Sequence, residues 1–283
     1  MRDRVVHHAM VRVLEPRFER RFIHHSYACR TGKGQHRALC QFVRWARGHR
    51  HTMVLDVHRF FPSVDHEVMK AVAFDVVRDP EVRALIANVI DASDLPSAVA
   101  HFPGDDLLTP LGRRTGLPIG NLTSQFLANV LLDRVDHHVK DDLRVKAYLR
   151  YADDLAFFGD DRAALWALRE RVESKLLELR LRLNRGKSRV RRLREGVTFL
   201  GFTVHPQTIR LGPVAVRRAR RRMASLQRAY VQGMRWGQVQ ASLQAWSAHA
   251  NHGDTHRLRE AAFATRPFMR ALVVTALGGA ASA

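Results

Sequence analysis

Two short apolar runs, residues 145–151 and 155–159, are joined by Ala152-Asp153-Asp154. Short runs rich in aromatic and aliphatic residues on either side of a tight break read as a β-hairpin, here with carboxylates at its turn. This segment constrains the fold more than any other. Its apolar strands belong in a core, while its acidic turn belongs at an edge where something neutralises it. A second acidic station lies upstream. Residues 52–57 (TMVLDV) are β-branched and apolar, a short buried strand that carries Asp56. Pro62 ends that strand, and Asp65 is placed to cap the helix that follows.

An aspartate at a strand end is ordinarily a cap, and a paired-aspartate turn is ordinarily solvated. Together they allow something else. Phosphoryl transfer to a hydroxyl needs positioning and charge neutralisation, usually from two divalent ions about 4 Å apart. Hard Mg2+ takes oxygen ligands from one or two carboxylates plus substrate phosphates. A strand bearing Asp56 beside a turn bearing Asp153 would supply them.

The charge balance points to a polyanionic partner. Lys+Arg number 47 against 27 Asp+Glu, a net charge of +20, among 283 residues of ordinary 46% hydrophobic content. Phosphate backbones are the commonest partner for such an excess, ahead of anionic membrane surface. No apolar run is long enough to span a bilayer, and the N-terminal segment lacks a secretory apolar region, so no membrane association and a cytoplasmic location are expected. The two cysteines, Cys29 and Cys40, fit neither a disulfide framework nor a zinc site. The histidine pairs 7–8, 24–25 and 137–138 read as solvated surface.

Along the chain, Val5, Ala9 and Val13 predict a helix over residues 3–15, stopped by Pro16. Residues 26–37 read as a basic loop, followed by a helix over 35–47. Residues 94–118 are rich in Pro, Gly and Asp and read as loop, leading into a long apolar helix over 124–140. Leu165, Leu168, Val172, Leu176, Leu179 and Leu183 trace an amphipathic helix. Residues 197–204 and 208–211 read as a hairpin around Pro206, and RRARRR at 217–222 opens a basic helical tail ending in GGAASA. Trp236 and Trp246 are expected in the core of that tail.

Several of these segments resemble the motifs of reverse transcriptases. Tyr151-Ala152-Asp153-Asp154 is similar to their Y-x-D-D hairpin. Asp56-Val57-His58-Arg59-Phe60-Phe61-Pro62-Ser63-Val64-Asp65 resembles the first carboxylate motif in its bacterial form. Gly116-Leu117-Pro118-Ile119-Gly120-Asn121-Leu122-Thr123-Ser124-Gln125 looks like the loop and helix between them. Leu183-Asn184-Arg185-Gly186-Lys187-Ser188 resembles the later lysine motif, and Phe199-Leu200-Gly201-Phe202 the primer grip. These five motifs stand in family order over residues 54–204.

The resemblance implies an α+β right-hand polymerase with an antiparallel-sheet palm, partial fingers and a helical thumb. It places partial fingers at 1–50, a palm at 51–211 with a fingers insertion at about 70–115, and a basic thumb at 212–283. It implies RNA-directed DNA synthesis with an RNA template, a DNA or cDNA primer strand and dNTPs. Asp56 and Asp153 would ligate two Mg2+ ions (Mn2+ as the alternative), with the Val57 carbonyl as a further ligand and Asp154 in support. Phe61 matches the steric gate against a ribose 2′-OH. Ile119, Gly120, Gln125, Tyr151 and Ala152 would line the nucleotide and primer end. Lys187 would neutralise or protonate the leaving pyrophosphate. Phe199, Leu200, Gly201 and Phe202 would brace the primer, while Arg30 and Lys33 would touch template or triphosphate.

The middle motif narrows the resemblance. Many bacterial enzymes of the family, group II intron enzymes among them, carry Gln-Gly and then Ser-Pro there. This chain has Ile119-Gly120 and Ser124-Gln125, a variant that resembles the diversity-generating retroelement branch. Trp246-Ser247-Ala248-His249-Ala250 with Asp254-Thr255-His256 is similar to that branch's thumb. The branch implies error-prone cDNA synthesis, misincorporation opposite adenines, and a small basic oligomeric accessory protein. Alternatives are a group II intron-like, retron-like or phage-defence reverse transcriptase. The sequence starts at the helix that follows the family's first fingers strands, so their basic triphosphate grip is expected to be missing. An RNA-binding remnant without activity is therefore a further alternative.

Overall fold

Strand β1 (His51–Asp56), the residues TMVLD after a leading histidine, is bordered on both sides by antiparallel partners. The computed structural model describes residues 2–93, 95, 100–264 and 268. It divides into two compact units, Met1–Gly196 and Val197–Ala283.

In the first unit a four-stranded sheet runs in the order β2-β3-β1-β4, with β2 at Tyr148–Tyr151, β3 at Asp154–Gly159 and β4 at Arg189–Arg192. Residues directly opposite on antiparallel strands share a face. One face carries Met53, Phe157, Tyr148 and Val190 in one row and Leu55, Leu155 and Arg150 in the next. These apolar side chains join a core built with α4 (His66–Phe74), α6 (Leu122–His137) and α7 (Arg162–Glu178), with α3 (Phe60–Ser63) and α5 (Pro80–Asp91) flanking α4 in the chain. The opposite face carries Phe158, which packs on Phe42 (4.8 Å) and Trp45 (5.6 Å) of α2 (Gln35–Gly48). Its other end carries Asp56, Asp154 and Tyr151.

The expected cap at Asp65 is present: its carboxylate accepts the Val68 N–H at 3.0 Å and starts α4. Asp65 is buried and also takes the Arg180 guanidinium at 2.8 Å. Two helix expectations need correction. Pro16 does not stop α1, which runs Arg2–Glu19. Its buried stripe is Met10, Val11, Leu14 and Phe18, with Phe18 edge-on to Phe126 of α6 at 5.3 Å. Val5 and Val13 are 68% and 66% exposed. Both series have helical spacing, and the one with the larger side chains won the core.

The run from Leu165 does not stay helical to Leu183. Helix α7 closes at Glu178 with Arg180 at φ +55°, its N–H bonded to Leu177 O (2.9 Å) and the Leu181 N–H to Leu176 O (2.9 Å). That is a Schellman closure with arginine where glycine is usual. Leu181 and Leu183 are still buried, but from extended backbone. The helix expected over 124–140 starts at Leu122 and ends in a π turn, His138–Asp142.

The second unit opens with a three-stranded antiparallel meander, β5 (Val197–Phe199), β6 (Phe202–Val204) and β7 (Ile209–Leu211). The expected single strand over 197–204 is thus two strands. Leu200 (φ +48°) and Gly201 (φ +85°) turn it, and two positive-φ central residues make the tight hairpin connection that suits strand twist. Helices α8 (Pro213–Val231), α9 (Trp236–Ala250) and α10 (His256–Ala264) complete the unit. The tail motif has a structural task here. Asp254 accepts the Ile209 N–H at 2.8 Å and donates its own N–H to Ile209 O, while Thr255 Oγ1 closes on Ala250 O at 2.7 Å. Trp246 packs on Phe263 at 5.9 Å, but Trp236 is 47% exposed, against Tyr230. The GGAASA end and most of the chain beyond residue 264 lie outside the described residues, as do 94 and 96–99 of the expected loop.

Candidate active site

The Asp153-Asp154 turn is built on a strained residue. Ala152 sits at φ +53°, a conformation that costs an L residue roughly 1 kcal/mol or more. The turn brings Asp154 directly opposite Asp56, the last residue of β1, with Asp153 one residue away at the turn itself. Burial comes first in raising the Asp153 carboxyl above its ordinary range, and the charge of Asp56 adds to it. Asp154 is pushed up to about 7, by burial first and then by the charges of Asp153 and Asp56. The three carboxylates therefore feel one another in a partly dry setting.

The segment after α7 holds Asp56 in place. Its carbonyl accepts the Asn184 N–H at 2.8 Å, its carboxylate takes Asn184 Nδ2 at 3.0 Å on one oxygen, and Lys187 Nζ stands 3.2 Å from the other. The Ser188 hydroxyl accepts the Asp56 N–H at 3.4 Å. Lys187 is thus in the site, with a largely exposed side chain. Next along, Val57 is buried and bridges Leu183. The flanking bonds run from Asn184 N–H to Asp56 O and from His58 N–H to Arg182 O, which leaves the Val57 carbonyl out of that ladder.

A second neighbourhood assembles around Phe61. Its carbonyl accepts the Leu117 N–H at 2.8 Å, and Val64 O accepts the Gly116 N–H at 2.8 Å. The loop that carries Ile119 and Gly120 is thereby tied to the Phe61 turn. Gly116 is required there: it has φ +106°, and a Cβ would come within 2.6 Å of Leu95 Cβ. Phe61 is half-buried with its ring 5.4 Å from Phe60. Ile119 is 76% exposed, so it does not pack in the core. Gly120 has φ +93° with open space around it. Gln125 lies half-buried in the first turn of α6, and Tyr151 half-buried at the end of β2.

Arg30 and Lys33 are engaged elsewhere. Arg30 grips Glu19 (2.7–3.0 Å) and donates to the carbonyls of Ile23 (2.7 Å) and Ser26 (2.9 Å). Lys33 donates to His24 O at 2.8 Å. In the second unit, Phe199 and Phe202 are buried core residues, and the Leu200–Gly201 tip is the outward part of the expected primer grip.

Sequence reasoning passed over Asn184, Ser188 and Arg150 as individual residues. All three stood inside or beside quoted motifs. Asn184 and Ser188 flank Lys187 at a spacing that lets one turn hold Asp56, but nothing local in the sequence says so.

The donor set suits a hard divalent cation. Burial and neighbouring carboxylates raise Asp153 and Asp154, and a positive ion relieves both effects. Among the described residues no three His, Cys, Asp or Glu side chains close on one point as a cage would. Mg2+ does not need one, since substrate phosphates complete its coordination. Among the same residues no helix is long and apolar enough to cross a membrane.

Comparison with known proteins agrees with this geometry. The chain is 25% identical over 256 residues to protein YkfC of Escherichia coli K12, covering 76% of this chain and 64% of that protein. It is 31% identical over 160 residues to the retron Mx65 reverse transcriptase of Myxococcus xanthus, 56% of this chain and 37% of that one. It is 34% identical over 92 residues to the mitochondrial nuclear intron maturase 1 of Arabidopsis thaliana, 32% of this chain and 13% of that one. The chain thus spans less than two thirds of the length of each of these relatives. Among solved structures, apo telomerase from Candida tropicalis superposes with a TM-score of 0.51 at 10% identity, over 72% of this chain and 40% of that one. That likeness, with the antiparallel sheet and its helices, shows an α+β right-hand polymerase fold. Residues 1–204 match the family described as reverse transcriptase (RNA-dependent DNA polymerase), carboxylate stations and hairpin included, and the chain belongs to that family.

Proposed function

We propose that this chain is an RNA-directed DNA polymerase that extends a primer on an RNA template by two-metal nucleotidyl transfer. The observation that carries the reading is Asp56 opposite Asp154 with Asp153 in the adjoining turn, where burial first and then neighbouring carboxylates raise Asp153 and Asp154 and so favour a cation. Two Mg2+ ions, or Mn2+, would lower the charge on the attacking hydroxyl and the triphosphate. Asp56 and Asp153 would hold them, with the Val57 carbonyl and Asp154 beside. Lys187 offers its ammonium to the departing pyrophosphate, and Asn184 keeps Asp56 aimed. The half-buried ring of Phe61 would meet a ribose 2′-OH, which favours dNTPs. The +20 charge suits the phosphates of template and primer.

Within the family, we place the chain in the diversity-generating retroelement branch, with error-prone cDNA synthesis and a small basic oligomeric accessory protein as partner. Ile119 supports this: an exposed aliphatic side chain offers the incoming nucleotide no hydrogen bond, so a mispair forfeits less relative to a correct pair. The 31% identity to a retron enzyme favours a second reading, a retron-like enzyme without directed mutagenesis. Primer extension on an RNA template with Mg2+ and dNTPs, followed by sequencing, separates them. Errors concentrated at template adenines support the retroelement branch, and an even error spectrum overturns it. RNA binding without metal-dependent extension favours a third reading, an RNA-binding protein without polymerase activity.

A further inference from the structure

Arg150 is a charged residue with no exposed surface, in a strand otherwise made of Tyr148, Leu149 and Tyr151. Its guanidinium lies on the helix-covered face of the sheet. Nε reaches both oxygens of Asp136 on α6 at 2.9 Å, and one terminal nitrogen reaches Oδ2 at 2.7 Å. Asp136 is equally buried and also takes the Tyr148 hydroxyl at 2.6 Å. The other terminal nitrogen donates to Asn129 Oδ1 at 2.9 Å and to the carbonyl of Ala152 at 3.1 Å. Asn129 passes the connection on, donating its amide to Ala28 O at 2.9 Å. The Arg150 backbone joins the same segment, with its N–H on His25 O and its C=O accepting the Tyr27 N–H.

A fully buried ion pair is a poor device for stability alone, because apolar residues of similar volume often do as well. This pair also does something local. It holds the carbonyl of the one residue in the acidic turn that carries a positive φ. An alanine at that angle tends to relax unless its surroundings hold it, and a relaxed Ala152 would carry Asp153 with it. Lysine could keep the charge but could not serve Asp136, Asn129 and Ala152 together, since it lacks the planar fork.

We propose that Arg150 is a positioning residue for the acidic turn: clamped by Asp136 and Asn129, it fixes the Ala152 carbonyl and so the carboxylate of Asp153, and it ties that turn to the segment around Ala28. The inference rests on the polymerase reading for its kinetic consequence, but not for its structural one.

The test uses the full chain with three variants: Arg150→Lys, the apolar pair Arg150→Met/Asp136→Leu, and Arg150→Lys/Ala152→Gly. Two measurements need no turnover. Hydrogen exchange of the amides at 152–154 in metal-free protein is expected to speed up about tenfold in the first two variants, with protection in α6 and α7 unchanged. Mn2+ affinity, read from the free-ion paramagnetic resonance signal, is expected to weaken about fivefold or more. Glycine at 152 accepts positive φ without strain, so the Arg150→Lys/Ala152→Gly variant is expected to recover much of both. In primer extension, the rate constant falls and the affinity for primer–template stays. Parental exchange and Mn2+ affinity in the apolar pair overturn the proposal. So does exchange that rises equally throughout the first unit, or failure of both Arg150 replacements to fold, because the role is then purely structural. A parent chain that never extends a primer counts against the polymerase reading, while the exchange result still decides the role of Arg150.

Discussion

Asp56 and Asp154 face each other across adjacent antiparallel strands, like charges in a directly opposed pair. Such pairs destabilise a sheet, and burial first, then the charges of Asp153 and Asp56, push the Asp154 carboxyl up to about 7. The sign of the consequence follows from linkage. The folded chain keeps a proton that the unfolded chain releases near pH 4, so the protonated group favours folding at low pH and that contribution is lost as pH rises toward 7. A bound divalent ion would favour the ionised form and reverse the loss. Melting temperatures in Mg2+ and in chelator should therefore differ little at pH 5 and by several degrees at pH 8. Equal Mg2+ shifts at both pH values would contradict the carboxylate cluster as the binding place.

Asp153→Asn tests the chemistry at the same turn. The amide is nearly isosteric, so the fold should persist, and the metal-free chain should melt slightly higher because a raised carboxylate is gone. Single-turnover primer extension should drop by about a thousandfold, the scale of losing one charge-stabilising group at a reacting centre. Near-parental extension would remove Asp153 from the site.

The hairpin, the Asp56 strand and the Asp65 cap were legible because each rests on local rules: short apolar runs, a break, a side chain that reaches its own helix. The failures share a different cause. Arg180 closes α7 in a conformation that glycine usually signals, so the leucine spacing through Leu183 pointed to a helix that had already ended. Leu200 and Gly201 likewise cut one expected strand into two. On α1, two stripes both fitted a helical spacing, and the larger side chains, with Phe18 edge-on to Phe126, took the core. The candidate site was legible only where a residue type or a motif marked it. Asp56 and Asp153 stood out as acidic residues at strand edges and Lys187 through its motif's resemblance, whereas the contacts of Asn184 and Arg150 run to partners outside their own motifs, Asp56 for one and Asp136 and Asn129 for the other. A charged residue in a strand reads as solvated until a buried counter-charge is seen.

Phe61 sets up a selectivity test. Its backbone is tied to Leu117, in the loop that carries Ile119 and Gly120. Phe61→Ala should open space for a 2′-OH and raise ribonucleotide use relative to dNTPs by about ten- to a hundredfold, a discrimination of roughly 1–3 kcal/mol. Competition between labelled dNTP and rNTP reads it directly. A variant that loses dNTP incorporation without gaining rNTPs would assign the ring to packing against Phe60 instead.

Ile119 is where the proposed retroelement reading can be tested apart from the fold. It is 76% exposed, on a loop fixed by Gly116 and Leu117 rather than by its own side chain. Ile119→Gln should thus change stability by no more than about 0.5 kcal/mol. What changes is the surface offered to a base pair. Glutamine brings a donor and an acceptor that a correctly paired nucleotide satisfies and a mispaired one strands, and a stranded polar group costs about 1–3 kcal/mol. Misincorporation opposite template adenines should fall by about ten- to a hundredfold, with less change at other template bases. Sequencing of cDNA made by the two proteins on one RNA template measures this. An unchanged adenine error rate, at unchanged melting temperature, would move the source of infidelity away from the 116–120 loop and remove the structural support for the retroelement branch.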